Sequence, residues 1–169
     1  SMMMGPGDYV NINNGERDRL GFWGELNAQP APDWTVIAGA RYERVSTDAG
    51  AVKPYGVNMM QMDDVMAAAA FNAADRKKED DNFDATVKAQ WRPSKNAEYE
   101  LGLSRKTRSP NLYERYAWGR GMMSSAMTNF AGDGNSYVGD IDLKPEIATG
   151  IAGSAKFSDG DSGKRSITF

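Results

Sequence analysis

Sulfur carries the chemistry this sequence can offer. Its ten methionines fall in three groups: Met2, Met3 and Met4; Met59, Met60, Met62 and Met66; and Met122, Met123 and Met127. Methionine ordinarily fills irregular gaps in apolar cores, yet none of the ten lies in a stretch that reads as a strand. The thioether is a soft ligand that suits Cu(I) over hard ions and needs no deprotonation. Three or so sulfurs converging from different segments would make a Cu(I) site. The plainer role for the same residues is to pack loops against one another, or to line a ligand's entrance.

Other chemistries are poorly supplied. The chain has no cysteine and no histidine, which removes disulfides, thiolate metal sites and the usual general base. The acidic pairs Asp63-Asp64, Asp80-Asp81 and Asp140/Asp142 fall in expected loops without a catalytic partner, so no enzyme is expected. Gly132-Asp133-Gly134-Asn135 and Asp159-Gly160-Asp161-Ser162-Gly163 lack the twelve-residue calcium-loop spacing and its closing Glu, and turn chemistry accounts for both. Net charge is −3 with scattered basic residues, which argues against nucleic-acid binding.

The elements that must position the methionines alternate with period two. Leu20, Phe22, Gly24, Leu26 and Ala28 share one face, and Trp34, Val36, Ala38, Ala40 and Tyr42 continue it after a turn at Pro30-Ala31-Pro32-Asp33. A second hairpin runs through Phe83 to Trp91 and Ala97 to Leu103, turning at Pro93-Ser94-Lys95-Asn96. A fifth strand starts near Glu146, and Arg165 to Phe169 begins a sixth. The fold expected is all-β: an antiparallel up-and-down meander of about six strands with long Met-rich loops. Residues 1–16 read as a polar loop. The long connection from Ser46 to Asp81 holds an alanine run that reads as a short helix with Asp63 or Asp64 near its start. Arg76 to Asp81 reads as a solvated charge run.

Short turns alternating with long loops, and strands of roughly ten residues, are the pattern of an outer-membrane barrel. Trp34, Tyr42, Trp91 and Tyr99 stand near strand ends, where an aromatic girdle would sit, and Glu25, Arg41, Lys88 and Glu98 suit a polar lumen. A soluble meander or sandwich also alternates, but it would bury its apolar face. No run of eighteen apolar residues is present, so no transmembrane helix is expected. The start of the chain lacks the basic and apolar regions of a signal peptide, so an exported protein would have its first part missing.

The stretch from Ser104 to Glu146 joins the fourth strand to the fifth. It contains Arg108-Ser109-Pro110-Asn111-Leu112-Tyr113-Glu114-Arg115-Tyr116 and ends in Tyr137-Val138-Gly139-Asp140-Ile141-Asp142-Leu143-Lys144-Pro145-Glu146. These two segments resemble the barrel of TonB-dependent outer-membrane receptors, and with the Met-rich loops the chain is similar to the branch of copper receptors. The resemblance implies that residues 1–169 are part of a larger transmembrane β-barrel whose plug domain and remaining strands are absent. It implies a bacterial outer-membrane location, lipid around the barrel, coupling to the TonB energy-transducing complex through the plug, and active transport of a metal or metal chelate. The ten methionines would be the metal ligands. The alternative within the family is a ferric-siderophore receptor, in which Tyr113, Arg115, Tyr116, Trp118 and Arg120 would contact an anionic chelate or else pack the loop.

Overall fold

Polar residues at every second position leave a strand one wettable face and one apolar face, and six segments of this chain use that option. The computed structural model describes residues 9–55, 62–121, 124, 132–158 and 164–168. In chain order these hold β1 (Glu16–Ala31), β2 (Trp34–Asp48), α1 (Met62–Ala73), β3 (Lys78–Ser94), β4 (Ala97–Arg108), α2 (Leu112–Tyr116), β5 (Glu146–Ser158) and β6 (Lys164–Thr168). The strands form one sheet in the order β1-β2-β3-β4-β5-β6, the up-and-down meander expected. β4 and β5 pair without interruption from Ala97↔Phe157 to Arg108↔Glu146. The β3–β4 register shifts between Trp91 and Ser94. Pro93 sits in that irregularity, where a residue without an N–H costs no ladder bond.

The chain divides into two units. One gathers Leu20–Arg44, Asp81–Arg108 and Glu146–Phe169, the sheet proper. Its burial runs opposite to that of a soluble domain. Leu20, Phe22, Leu26, Val87, Leu101, Leu103, Ile147 and Ile151 are all exposed, Ile151 by 74%. On the other face Lys88, Gln90, Glu98 and Glu100 are half-buried. Carboxylates there bridge neighbouring strands: Glu98 takes Arg92 at 2.7 Å and Lys156 at 3.0 Å, and Glu100 takes Lys88 and Gln90, each at 2.9 Å.

At the short-turn ends of the strands, Trp34, Trp91, Tyr99 and Phe157 form a row, with successive ring centroids 5.9, 5.5 and 5.8 Å apart. The Trp91 indole N–H donates to Asp33 in the first turn at 2.8 Å. Three of the four expected girdle residues therefore stand together. Tyr42, eight residues along β2 from Trp34, instead donates to Asp81, which also takes Arg44.

The second unit comprises Ser1–Arg19, Val45–Asp80 and Ser109–Pro145. Its apolar cluster is Ala49, Val52, Ala68, Phe71, Tyr116 and Trp118, joined by Tyr9, Ile12, Ala67, Leu112 and Ile141. Two expectations are corrected here. The N-terminal stretch is not merely a polar loop: Tyr9 stacks on Tyr55 at 4.5 Å and leans on Trp118, and Val10 bridges Lys53. The charge run is not simply a solvated face: β3 already begins at Lys78, and Asp80 is buried against Arg115.

Candidate functional site

The helix expected from the alanine run is α1, and it carries two of the ten methionines. Asp63 and Asp64 occupy its first turn, where a negative charge is favoured. The Asp64 carboxylate accepts the backbone N–H groups of Arg120 and Gly121 and the Ser124 hydroxyl, at 3.0, 2.8 and 2.8 Å. A side chain at Gly121 would come within 2.6 Å of that carboxylate, so glycine is required for the approach. At the other end the Arg76 guanidinium donates to the carbonyls of Ala49, Phe71 and Asn72, supplying partners that the last turn of a helix lacks. Asn72 bonds both the N–H and the C=O of Val52.

Anchored this way, α1 buries Asp64, Ala68 and Phe71 and leaves Met62 and Met66 exposed. Four residues apart, the two methionines share one helix face with their Cβ atoms ~6 Å apart. Both lie on the helix that the alanine run predicts within the long connection, Met62 as its first residue. Met2, Met3, Met4, Met59, Met60, Met122, Met123 and Met127 lie outside the described residues. Among the described residues no three His, Cys, Asp or Glu side chains cluster as a metal site would require.

The Arg108–Tyr116 segment is built for anchorage. Asn111 and Glu114 form a capping box at the start of α2, each side chain bonded to the other's backbone N–H. The Arg115 guanidinium is 2% exposed and donates to Thr47 at 2.8 Å, Asp80 at 2.7 Å and the Leu143 carbonyl at 3.0 Å. The pair with Asp80 is end-on, leaving Asp80 Oδ2 and Arg115 Nε unbonded. Tyr116 is fully buried and donates to the Arg76 carbonyl at 2.6 Å. Trp118 donates to the Asn11 carbonyl.

The Tyr137–Glu146 segment docks on α2: Gly139 N–H reaches the Ala117 carbonyl and Asp140 N–H the Glu114 carbonyl. A Cβ at Gly139 would stand 2.9 Å from Tyr113 O, Glu114 O and Ala117 N. Of the five residues expected to contact a chelate, Arg115, Tyr116 and Trp118 are thus committed to the interior, while Tyr113 and Arg120 stay exposed.

A cavity of about 490 Å³ opens in this unit between α1 and the 138–142 segment. Charges around it are largely paired. Lys78 holds Asp142 at 2.8 Å, and that hydrogen bond keeps the Asp142 carboxyl below the usual carboxylate range. Nearby in the fold, burial and the Asp64 charge push the Tyr9 hydroxyl up to about 12. Burial also raises Tyr116. A hydrogen bond from Tyr137 lowers Asp133.

A signal for the capping box was present in the sequence, as Asn-x-x-Glu after a proline. No local signal marks Asp80 as the partner of Arg115, or Asp64 as the acceptor for residues 120–124.

A family model described as "TonB dependent receptor-like, beta-barrel" matches residues 3–168. No curated protein matches the chain. Among solved structures, one described as "Copper transporter OprC" superposes with a TM-score of 0.58 at 19% identity. The match covers 86% of this chain and 19% of that one. At that identity the likeness speaks to fold.

Proposed function

The chain belongs to the TonB-dependent receptor-like β-barrel family, and from that premise we propose that it forms wall and outer loops of a receptor for copper uptake. The sheet supports the barrel part of the reading. Its exposed face is apolar, its half-buried face is laced with ion pairs, and an aromatic row borders the apolar band, as lipid outside and a polar lumen inside require. Trp34 and Tyr42 stand ~26 Å apart along β2, a span close to the height of such a band. The remaining strands, the plug and its coupling to TonB in the periplasm would lie beyond this chain. The reading assigns no catalytic residue.

The observation that carries the copper assignment is the exposed Met62 and Met66 pair on α1. A soft cation with two thioethers at one helix face needs one or two more ligands, which the other methionine groups would supply. The test is a Cu(I) competition titration on the intact receptor in detergent. Wild type is compared with a Met62→Leu/Met66→Leu variant and with all ten methionines changed to leucine. Binding weakened in the first variant and lost in the second supports the reading; equal binding in all three returns the methionines to packing. Exposure of Tyr113 and Arg120 favours the second reading, capture of a ferric siderophore, and uptake of a chelate that survives the methionine changes would select it.

A further inference from the structure

We infer that the cavity beside α1 is a binding site for a small molecule with an apolar body and a single carboxylate. Its floor is apolar, formed by Ala67, Ala70 and Phe71 of α1 with Ala74, Trp118 and Ile141, and its volume suits a ligand of one or two rings. The polar groups around it sort themselves by what they already hold. Arg115, in the wall, is committed to Thr47, Asp80 and Leu143. Asp142 takes the Lys78 ammonium, Asp140 the backbone N–H of Asp142, and Asp75 that of Lys77. Arg120 is different. Its backbone N–H is used by Asp64, but its guanidinium makes no hydrogen bond or ion pair among the described residues.

A free guanidinium above an apolar floor selects a planar anion that accepts two parallel hydrogen bonds. Asp75, Asp140 and Asp142, which also line the cavity, set the upper limit on charge, since a dianion or a highly charged chelate would be repelled by them. The head group is therefore a monocarboxylate. Among the described residues, Met62 and Met66 do not line the cavity, so this site and the methionine pair on α1 use different side chains.

The probe is naphthoate, with naphthylmethylamine and naphthylmethanol as the cation and the neutral molecule of the same body, each measured by equilibrium dialysis against the intact receptor in detergent. Naphthoate should bind about tenfold more tightly than the alcohol, and Arg120→Gln should abolish that preference while leaving the alcohol unchanged. Ala70→Trp, an enlargement at an exposed helix position, should weaken all three. Equal or tighter binding of the amine, a preference for naphthoate that survives Arg120→Gln, or no binding of any probe would overturn the assignment. Cu(I) affinity measured on the Arg120→Gln protein should match wild type, which keeps failure here distinct from failure of the copper reading.

Discussion

Arg115 is the residue on which the second unit most depends, because it compensates a buried Asp80 and ties β2, β3 and the 143 carbonyl to α2. Removing one partner of a buried pair strands the other charge. Arg115→Met should therefore cost about 3–5 kcal/mol, read as earlier cleavage of the 109–145 region in limited proteolysis. Adding Asp80→Asn should recover part of the loss. Gly139→Ala should destabilise by about 1–3 kcal/mol, since a methyl group would press on three backbone atoms that cannot yield as a side chain would.

Tyr9 gives a pH test. Its hydroxyl is pushed up to about 12 from the ordinary 10.0 of a tyrosine, so its contribution is fully present below pH 10 and is lost as pH rises through 12. Tyr9→Phe should flatten the alkaline loss of stability across that window in a pH-resolved thermal melt. None of these partnerships was legible in the sequence except the Asn111/Glu114 cap. Pairs such as Asp80 and Arg115, thirty-five residues apart, are chosen by tertiary placement rather than by local spacing.

At the scale of elements, the strands were readable because alternation survives in any sheet, and β2 to β5 fall where period two places them. The boundaries were less so. The start of β3 reads Lys78-Glu79-Asp80-Asp81-Asn82, five polar residues in which burial alternates although hydrophobicity does not: Asp80 and Asn82 are buried, Glu79 and Asp81 exposed. A strand whose hidden side is polar looks like a charge run to any hydropathy criterion. The inverted faces also make a prediction a soluble sheet would not. Ile151 is among the most exposed residues of β5, and its neighbour Ala152 lies on the opposite face. In lipid, Ile151→Arg should destabilise by about 2–4 kcal/mol whereas Ala152→Arg should be nearly neutral, measured by denaturant unfolding in vesicles. In a water-soluble sheet both changes would be harmless.

For the whole molecule, the governing fact is a sheet that runs from β1 to β6 in sequence order and, among the described residues, pairs neither outer strand with a further partner. Open edges beside an exposed apolar face favour association with more of the same. Produced alone, the chain should elute as large aggregates without detergent and as a defined particle only with it, by size-exclusion chromatography with light scattering. A monodisperse monomer in plain buffer would count against the membrane reading. Fold and family were legible in the sequence at this scale because both rest on repeated local patterns and two long motifs; the relative placement of the three methionine groups was not, since it depends on where long connections travel.

The aromatic row has an optical consequence. Trp34 and Trp91 sit on strands joined through the long connection that carries α1, yet their indoles stack 5.9 Å apart at an interplanar angle of 19°, close enough for their electronic transitions to mix. Trp91 and Tyr99 belong to one hairpin and can meet early. An exciton signal in circular dichroism would therefore act as a clock, silent while hairpins form and appearing only when β2 finds β3.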